Sequence, residues 1–228
     1  KPSRRIIIEG GVWDGNNIGQ DRDKYVHPLA NVGQAFSFAY TEDLCIKGLT
    51  IKDPNSYGIM LTDTRRFAVR AICFDCNCLT LNQDGIHVNG YAYDGYITNI
   101  TGNTNDDMIA LNTDEGDFFS PGNDTENIVI DGVYGGDNGW TAVRLLSRNA
   151  HMKQIVIRNI FGAYKFNAVS FTHWDSPDED YGHFDNVIIE NVFATSCRTS
   201  GTGHGGLIWF QDGVRHVGTV IIRNFIRN

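Results

Sequence analysis

The sequence predicts an all-β fold, a right-handed single-stranded parallel β-helix of about eight coils. Three observations support this prediction. A short apolar pattern recurs along the chain, a second apolar pattern follows most of its copies, and amphipathic helix periodicity is almost absent from a chain with only five prolines. Repeats of about 20 to 50 residues are typical of solenoids, in which each coil packs on its neighbours.

The first pattern is a run of apolar residues that ends in Asn or Gly and is followed by another apolar residue. Its seven clear copies begin at Ile6, Cys45, Tyr96, Val129, Val156, Ile188 and Ile221, and the stretch from Val69 to Ile72 is a degenerate eighth. The shared Asn or Gly position is held by Gly48, Asn99, Gly132, Asn159, Asn191 and Asn224. We interpret these as turn residues that adopt unusual backbone angles and bond their neighbours in the stack, and not as sugar ligands.

The second pattern predicts a five-residue strand in most coils. Because side chains alternate along a strand, every second residue points into the core. The inward residues are Ile59, Ile86, Ile109, Val143, Val169 and Leu207, together with Leu61, Val88, Leu111, Leu145, Phe171 and Trp209 two places on. The intervening residues form an outward row that we expect to be exposed: Met60, His87, Ala110, Arg144, Ser170 and Ile208.

Length and charge exclude several classes of protein. The 228 residues are expected to form a single β-helix domain over 1–228, and neither end shows an obvious cap, which leaves open that the chain is a fragment of a longer one. The 27 acidic residues outnumber the 19 basic ones, so nucleic acid and anionic membranes are not expected as partners. No apolar stretch reaches the roughly 20 residues that cross a bilayer. The oligomeric state is left open.

The cysteines do not predict a metal site. Cys73, Cys76 and Cys78 are close together, but no second ligand pair stands at a distance typical of zinc sites. We interpret the cysteines as small apolar side chains in a narrow core, and we expect no cofactor.

Three carboxylates are the strongest candidates for chemistry. Asp84 and Asp107 occupy the same position on successive coils, and Asp106 precedes Asp107. Because stacked strands lie about 4.8 Å apart, the three side chains should converge on one spot. Crowded carboxylates raise at least one pKa, as a general acid requires. A calcium site or a solvated acidic edge is the structural alternative.

The aspartates stand in motifs that resemble a known family. Asn82-Gln83-Asp84-Gly85 and Asn105-Asp106-Asp107 are similar to the Asn-x-Asp-Gly and Gly-Asp-Asp signatures of polygalacturonases, the family 28 glycoside hydrolases. The run from Ile8 to Asn16 is similar to the opening coil of that family. The resemblance implies a secreted or periplasmic enzyme, whose signal peptide is not part of this sequence, that hydrolyses a plant or microbial polysaccharide.

The resemblance also implies an inverting mechanism on the β-helix. Asp84 or Asp107 would act as acid or base and Asp106 would share in holding the water, while family precedent favours Asp106 or Asp107 as the acid. The residues do not separate the three roles. An inverting mechanism needs carboxyl groups about 6.5 to 9.5 Å apart.

The sequence departs from the family at two motifs. The Gly-His-Gly and Arg-x-Lys motifs that follow the paired aspartates are replaced by Trp140-Thr141-Ala142 and Ala168-Val169-Ser170. The Arg-x-Lys pair would hold a uronate carboxylate, so its loss weakens the case for simple galacturonan as the substrate. Gly203-His204-Gly205 has the right letters but lies two coils too late.

Other residues are candidates for substrate binding. His87 and Arg144 share the outward row, with only Ala110 between them, so they could flank a shallow pocket beside the aspartates and replace the missing basic groups. Tyr57, Trp140 and His173 could supply stacking surfaces for sugar rings.

Two other functions remain open at this point. A polysaccharide lyase would use Asp84, Asp106 and Asp107 as calcium ligands and Arg144 as a base. A non-catalytic glycan-binding β-helix, such as a phage tail-fibre segment, would need neither of the missing motifs.

Overall fold

The strands of this protein follow the apolar repeats. A computed structural model describes residues 1–20, 33–115, 123–136, 139–173, 181–196 and 206–227. Its strands are β1 (Ser3–Glu9), β2 (Val12–Asp14), β3 (Phe36–Lys52), β4 (Ile59–Asp75), β5 (Ile86–Asn103), β6 (Ile109–Asn112), β7 (Thr125–Gly135), β8 (Val143–Leu146), β9 (His151–Tyr164), β10 (Val169–Thr172), β11 (Tyr181–Ser196), β12 (Ile208–Phe210), β13 (Val214–Val217) and β14 (Val220–Arg227). In this part of the chain the single helical element is a 3-10 turn at Asn17–Gly19, and no helix could span a membrane.

The coils stack in register. All the strand pairings of the described residues are parallel, and each strand pairs with strands of the coils before and after it. The first residues of β3, β4 and β5 belong to one column of paired strands, which continues through β6, β8, β10 and β12. The later residues of β5 belong to a second column, which continues through β7, β9 and β11. The predicted right-handed parallel β-helix is confirmed.

The core lies inside the coils and contains the predicted inward residues. Ile59, Ile86, Ile109, Val143 and Val169 stack in one column and have no exposed surface. The degenerate copy also pairs as expected, since Val69 lies against Ile46 and Ile97. Stacking therefore buries the same apolar position in successive coils, which is the main source of stability in a solenoid.

The expectation that the outward row is exposed is wrong. Met60, His87, Ala110 and Ser170 are all buried, although they lie on the face of their strands opposite the core. Tyr57 covers part of this row, because its ring stacks on the His87 imidazole with 4.0 Å between ring centroids. The row is thus the floor of a covered surface and not a solvated edge.

The last repeat is shifted by one residue from the expected register. Ile208, and not Leu207, pairs with Val169, so Trp209 pairs with Ser170 in the outward row. Leu207 is still buried in the core cluster. The shift follows a glycine-rich stretch, in which no side-chain pattern fixes the register.

The repeated Asn or Gly position forms a corner of the coil, as interpreted from the sequence. The residues there have positive φ angles: 64° at Gly48, 54° at Asn99, 83° at Gly132, 60° at Asn159, 58° at Asn191 and 51° at Asn224. The amide of Asn191 donates to Asn159 Oδ1 at 3.1 Å, and the amide of Asn224 donates to Asn191 Oδ1 at 3.0 Å. The asparagines therefore form a ladder along the helix axis.

This ladder predicts different effects for two substitutions at one position. Asn191→Ala should lower the free energy of unfolding by about 2 to 3 kcal/mol, because it loses the amide bonds and places alanine at a positive φ. Asn191→Gly should cost only about 1 to 2 kcal/mol, because glycine adopts this φ without strain. Urea unfolding would measure both, and an alanine variant as stable as the glycine variant would contradict the account.

Candidate active site

The stacking register brings the three aspartates together. The amide of Gly58 donates to the carbonyl of Asp84 at 2.8 Å, and the amide of Gly85 donates to the carbonyl of Asp107 at 2.9 Å. Asp84 and Asp107 therefore hold one position on adjacent coils. Carboxylate oxygens of Asp84, Asp106 and Asp107 lie within 4.8 Å of one another, so the expected convergence is confirmed. The catalytic role of the three residues stays a prediction.

The environment of these carboxylates favours retained protons. Asp84 and Asp107 are buried, and Asp106 is half-buried. Burial raises the pKa of Asp107, the charge of Asp84 adds to this rise, and Arg144 offsets part of it. The resulting pKa is about 6. Burial, Asp84 and Asp107 together raise the pKa of Asp106 well above its ordinary value. The pair Asp106 and Asp107 can therefore hold a proton near neutral pH.

His87 is a buried cation beside this cluster. Its Nδ1 lies 2.6 Å from Asp84 Oδ2, and its Nε2 lies 3.0 Å from Glu115 Oε2. Burial alone lowers the pKa of the imidazole, but Glu115 and Asp84 outweigh burial and raise this pKa to about 9. A protonated His87 donates to both carboxylates, and so it fixes the orientation of Asp84 and Glu115.

Glu115 completes the charge network, and the sequence analysis missed it. Its carboxylate contacts His87 and also lies 3.2 Å from Nη2 of Arg144. Burial raises the pKa of Glu115, but His87 and Arg144 outweigh burial and lower it to about 2. Asn112 donates to Glu115 Oε2 at 2.7 Å and fixes the side chain further. No repeat position marks Glu115, because it follows the end of β6 in a loop.

Arg144 is not the exposed side chain that the outward row suggested. Its side chain is 21% exposed, and its Nε lies 3.0 Å from Asp107 Oδ2. Together with the Glu115 contact, this makes Arg144 the counter-charge of two buried carboxylates. We therefore expect removal of Arg144 to destabilise the fold, since a buried charge left without its partner costs about 3 to 5 kcal/mol.

The predicted stacking residues are distributed over several coils. Tyr57 is buried on His87 and belongs to the site. Trp140 lies one coil beyond Asp106 at the equivalent position, with its ring centroid 4.6 Å from that of Phe166. His173 lies two coils beyond the aspartates, where Nε2 is 2.7 Å from the carbonyl oxygen of Asp212. Sugar binding by Tyr57, Trp140 and His173 remains a prediction, and Gly203-His204-Gly205 falls outside the described residues.

The spacing of the carboxylates limits the chemistry. Their nearest oxygens are closer than the 6.5 to 9.5 Å expected between the two carboxyl groups of an inverting enzyme. Oxygens at this separation can share one water molecule or one hard cation such as calcium. Because this limit joins single oxygens and not whole carboxyl groups, the separation expected for an inverting enzyme stays a prediction, and the protonation of the three groups becomes the distinguishing feature.

Comparisons with known proteins support the architecture. No family model and no curated protein sequence matches the chain. The endo-xylogalacturonan hydrolase of Aspergillus tubingensis is structurally similar, with 13% identity and a TM-score of 0.56 over 99% of this chain and 73% of that chain. PfbA, a surface adhesin of Streptococcus pneumoniae, is similar with 12% identity and a TM-score of 0.50 over 99% of this chain and 69% of that chain.

A third solved structure gives a weaker match. The exopolygalacturonase of Thermotoga maritima is 16% identical, with a TM-score of 0.42 over 84% of this chain and 55% of that chain. At these identities the comparisons show the fold that the chain shares with its neighbours. The endo-xylogalacturonan hydrolase and the adhesin share this fold with the chain, so the activity must be argued from the site.

The burial of His87 predicts a pH-dependent contribution to stability. Its folded-state pKa of about 9 lies above the ordinary 6.5, so its stabilising effect is complete below about pH 6.5 and is lost as pH rises through about 9. We expect the unfolding free energy of wild type relative to His87→Gln to fall by about 3 kcal/mol over that range. Denaturant unfolding at several pH values measures the difference, with His173→Gln as the control. A difference independent of pH would contradict the assignment of His87 as a buried cation.

Proposed function

We propose that this protein is a glycoside hydrolase that cleaves a polysaccharide at the cluster of Asp84, Asp106 and Asp107. The proposal depends on one observation, which is that the three carboxylates differ in their ion-pair partners. Asp84 contacts His87 and Asp107 contacts Arg144, whereas Asp106 has no ion-pair partner among the described residues. Two carboxylates are thus matched with cations, while the third is driven toward its protonated form.

We assign Asp106 as the general acid. Its pKa is raised by burial and by the charges of Asp84 and Asp107, so it keeps a proton at a higher pH than an ordinary aspartate does. It is also the least buried of the three, which leaves it able to reach a glycosidic oxygen. The proton then moves from Asp106 to the leaving oxygen as the glycosidic bond breaks.

Asp84 and Asp107 are proposed to hold the attacking water together. A single water can bridge two oxygens up to 4.8 Å apart through hydrogen bonds of about 2.7 to 2.8 Å each. Both carboxylates would accept hydrogen bonds from this water, and one of them would take one of its protons as the water oxygen attacks the anomeric carbon, while the other proton stays on the new hydroxyl group. Attack by water, with no covalent sugar intermediate, inverts the anomeric configuration.

The structure favours hydrolysis over a lyase that uses Arg144 as its base. Burial lowers the pKa of Arg144, but Asp107 and Glu115 outweigh burial and raise it above its ordinary value. Such a guanidinium cannot release its proton near neutral pH. Arg144 instead maintains the charge of Asp107 and Glu115.

We propose the substrate class from the basic side chains that the site contains and from the family's basic motif that it lacks. Without the Arg-x-Lys pair, the described residues of the site include no basic group outside the carboxylate network that would hold a uronate at the cleavage position. We therefore expect simple polygalacturonan to be a poor substrate. A branched or mixed polysaccharide fits better, and xylogalacturonan, on which the Aspergillus neighbour acts, is one member of that class. An extracellular location suits such a substrate.

Asp106→Asn tests the acid assignment. The amide cannot protonate the leaving group, so kcat should fall by about 10² to 10⁴-fold. Because asparagine resembles the protonated form of Asp106 and stays uncharged at every pH, the melting temperature should stay the same or rise. Release of reducing ends measures the activity, and thermal unfolding measures the stability.

Asp75→Asn is the matched control, since Asp75 is an exposed aspartate at the end of β4. It should retain full activity. An Asp106→Asn variant that keeps wild-type kcat would refute the assignment, as would a loss of activity that is fully explained by unfolding.

Chelation separates hydrolysis from a calcium-dependent reaction. We expect activity to persist after treatment with a chelator, because the carboxylates act as acid and base and not as metal ligands. Rates before treatment, after treatment and after return of calcium provide the measurement. Loss of activity that calcium restores would assign the three aspartates as cation ligands.

A further inference from the structure

Three histidines form a column on consecutive coils, away from the aspartates. His151, His183 and His216 pair in register on β9, β11 and β13. The ring centroids of His151 and His183 are 4.8 Å apart, and those of His183 and His216 are 4.3 Å apart with the rings parallel within 2°. The residue after each histidine continues an inward column that includes the buried Met152 and Phe184, so the imidazoles point outward.

The histidines line an open pocket. Its volume is about 440 Å³, and Asp185 and Arg215 also contribute to its wall. Asp185 accepts hydrogen bonds from the amides of Asn186 and Thr219 at 2.8 and 2.9 Å, so its carboxylate is held in a turn. The volume is sufficient for a sugar unit with its substituents.

Five fixed charges lie around the column, three of them acidic and two basic. Asp124, whose carboxylate accepts from the amide of His151 at 2.9 Å, lies on one side together with Lys153, which pairs with Glu126 and lies 3.8 Å from Asp124. Asp185 and Arg215 lie on the other side. Because the acidic groups outnumber the basic ones by one, only protonated imidazoles would give the pocket a net positive charge.

The ring geometry disfavours a metal centre. A bound zinc or nickel ion lies in the plane of each imidazole, about 2.0 to 2.1 Å from its nitrogen. The rings of His183 and His216 are stacked face to face, so their lone pairs run parallel and do not converge on one ion. The same arrangement suits anionic groups, which accept N–H bonds from successive rings along the column.

We propose that this histidine column is a second carbohydrate site, which binds carboxylate groups of an acidic polysaccharide when the imidazoles are protonated. Protons on rings 4.3 to 4.8 Å apart repel one another, and a carboxylate relieves this repulsion. The column runs along the helix axis, which suits a linear chain with repeated acidic units.

The position of the column supports a role beside the cleavage site. Only residues 147–150 separate β8, which carries Arg144, from His151 at the start of β9. A polysaccharide bound by the histidines would therefore be separated from the outward row by one corner of the coil. Its acidic units would bind outside the position where the chain is cleaved. This role in anchoring substrate rests on the proposed function, whereas binding at the column does not require cleavage.

The test measures binding of oligogalacturonate by calorimetry at about pH 5.5 and about pH 7.5. All proteins carry Asp106→Asn, so that cleavage does not consume the probe. The parent should bind on the order of tenfold more tightly at the lower pH. His183→Gln should abolish this difference and Arg215→Gln should weaken binding at both pH values. Arg223→Gln, which removes an exposed guanidinium paired with Glu190 on the same coil as Arg215, should change nothing.

Histidine side-chain NMR locates the bound probe. The proposal requires the resonances of His151, His183 and His216 to shift with oligogalacturonate and not with neutral xylo-oligosaccharide. Equal binding of the neutral sugar, binding independent of His183, or tighter binding of zinc than of the anionic probe at these residues would overturn it. Binding without any cleavage by wild type would refute the proposed hydrolase while leaving this site in place.

Discussion

The stacking of parallel strands at a fixed spacing is the constraint on which the fold and the site both depend. Hydrogen bonds between coils hold equivalent residues about 4.8 Å apart along the axis. The same register that buries Ile86 under Ile109 sets Asp84 beside Asp107. A repeat that stabilises apolar side chains therefore forces two carboxylates together, and the adjacent Asp106 adds a third. This crowding is unfavourable unless other groups compensate for it.

The cations of this site do not balance all of its carboxylates, and the unbalanced negative charge has a chemical use. Four buried or half-buried carboxylates, those of the aspartate cluster and Glu115, face two cations, His87 and Arg144. Glu115 and Asp84 are matched with His87, and Asp107 is matched with Arg144. The raised pKa of Asp106 indicates that this residue retains a proton, which lowers the unbalanced negative charge. Burial and local charge together thus separate an acid from its neighbouring bases.

Periodicity made the fold, the core column and the convergence of the aspartates predictable, because each follows from one register. What lay outside the repeat was not predictable. Glu115 comes from a loop whose course no pattern encodes, and the burial of His87 depends on Tyr57 folding over it. The sequence pattern correctly placed Arg144 on the outward face of its strand. Its ion pairs could not be predicted, because they depend on the position of Glu115. The shifted last coil follows glycines that carry no side-chain signal.

The shared fold leaves hydrolysis, elimination and simple binding as distinct outcomes, and the products separate them most directly. The decisive measurement is the analysis of products from a panel of polysaccharides incubated with the wild-type protein, with the anomer formed first determined by NMR. The account predicts new reducing ends of inverted configuration from at least one acidic or branched glycan. Unsaturated sugars, retained configuration, or glycan binding without any product would contradict the central claim that Asp106 protonates a leaving sugar while Asp84 and Asp107 direct a water.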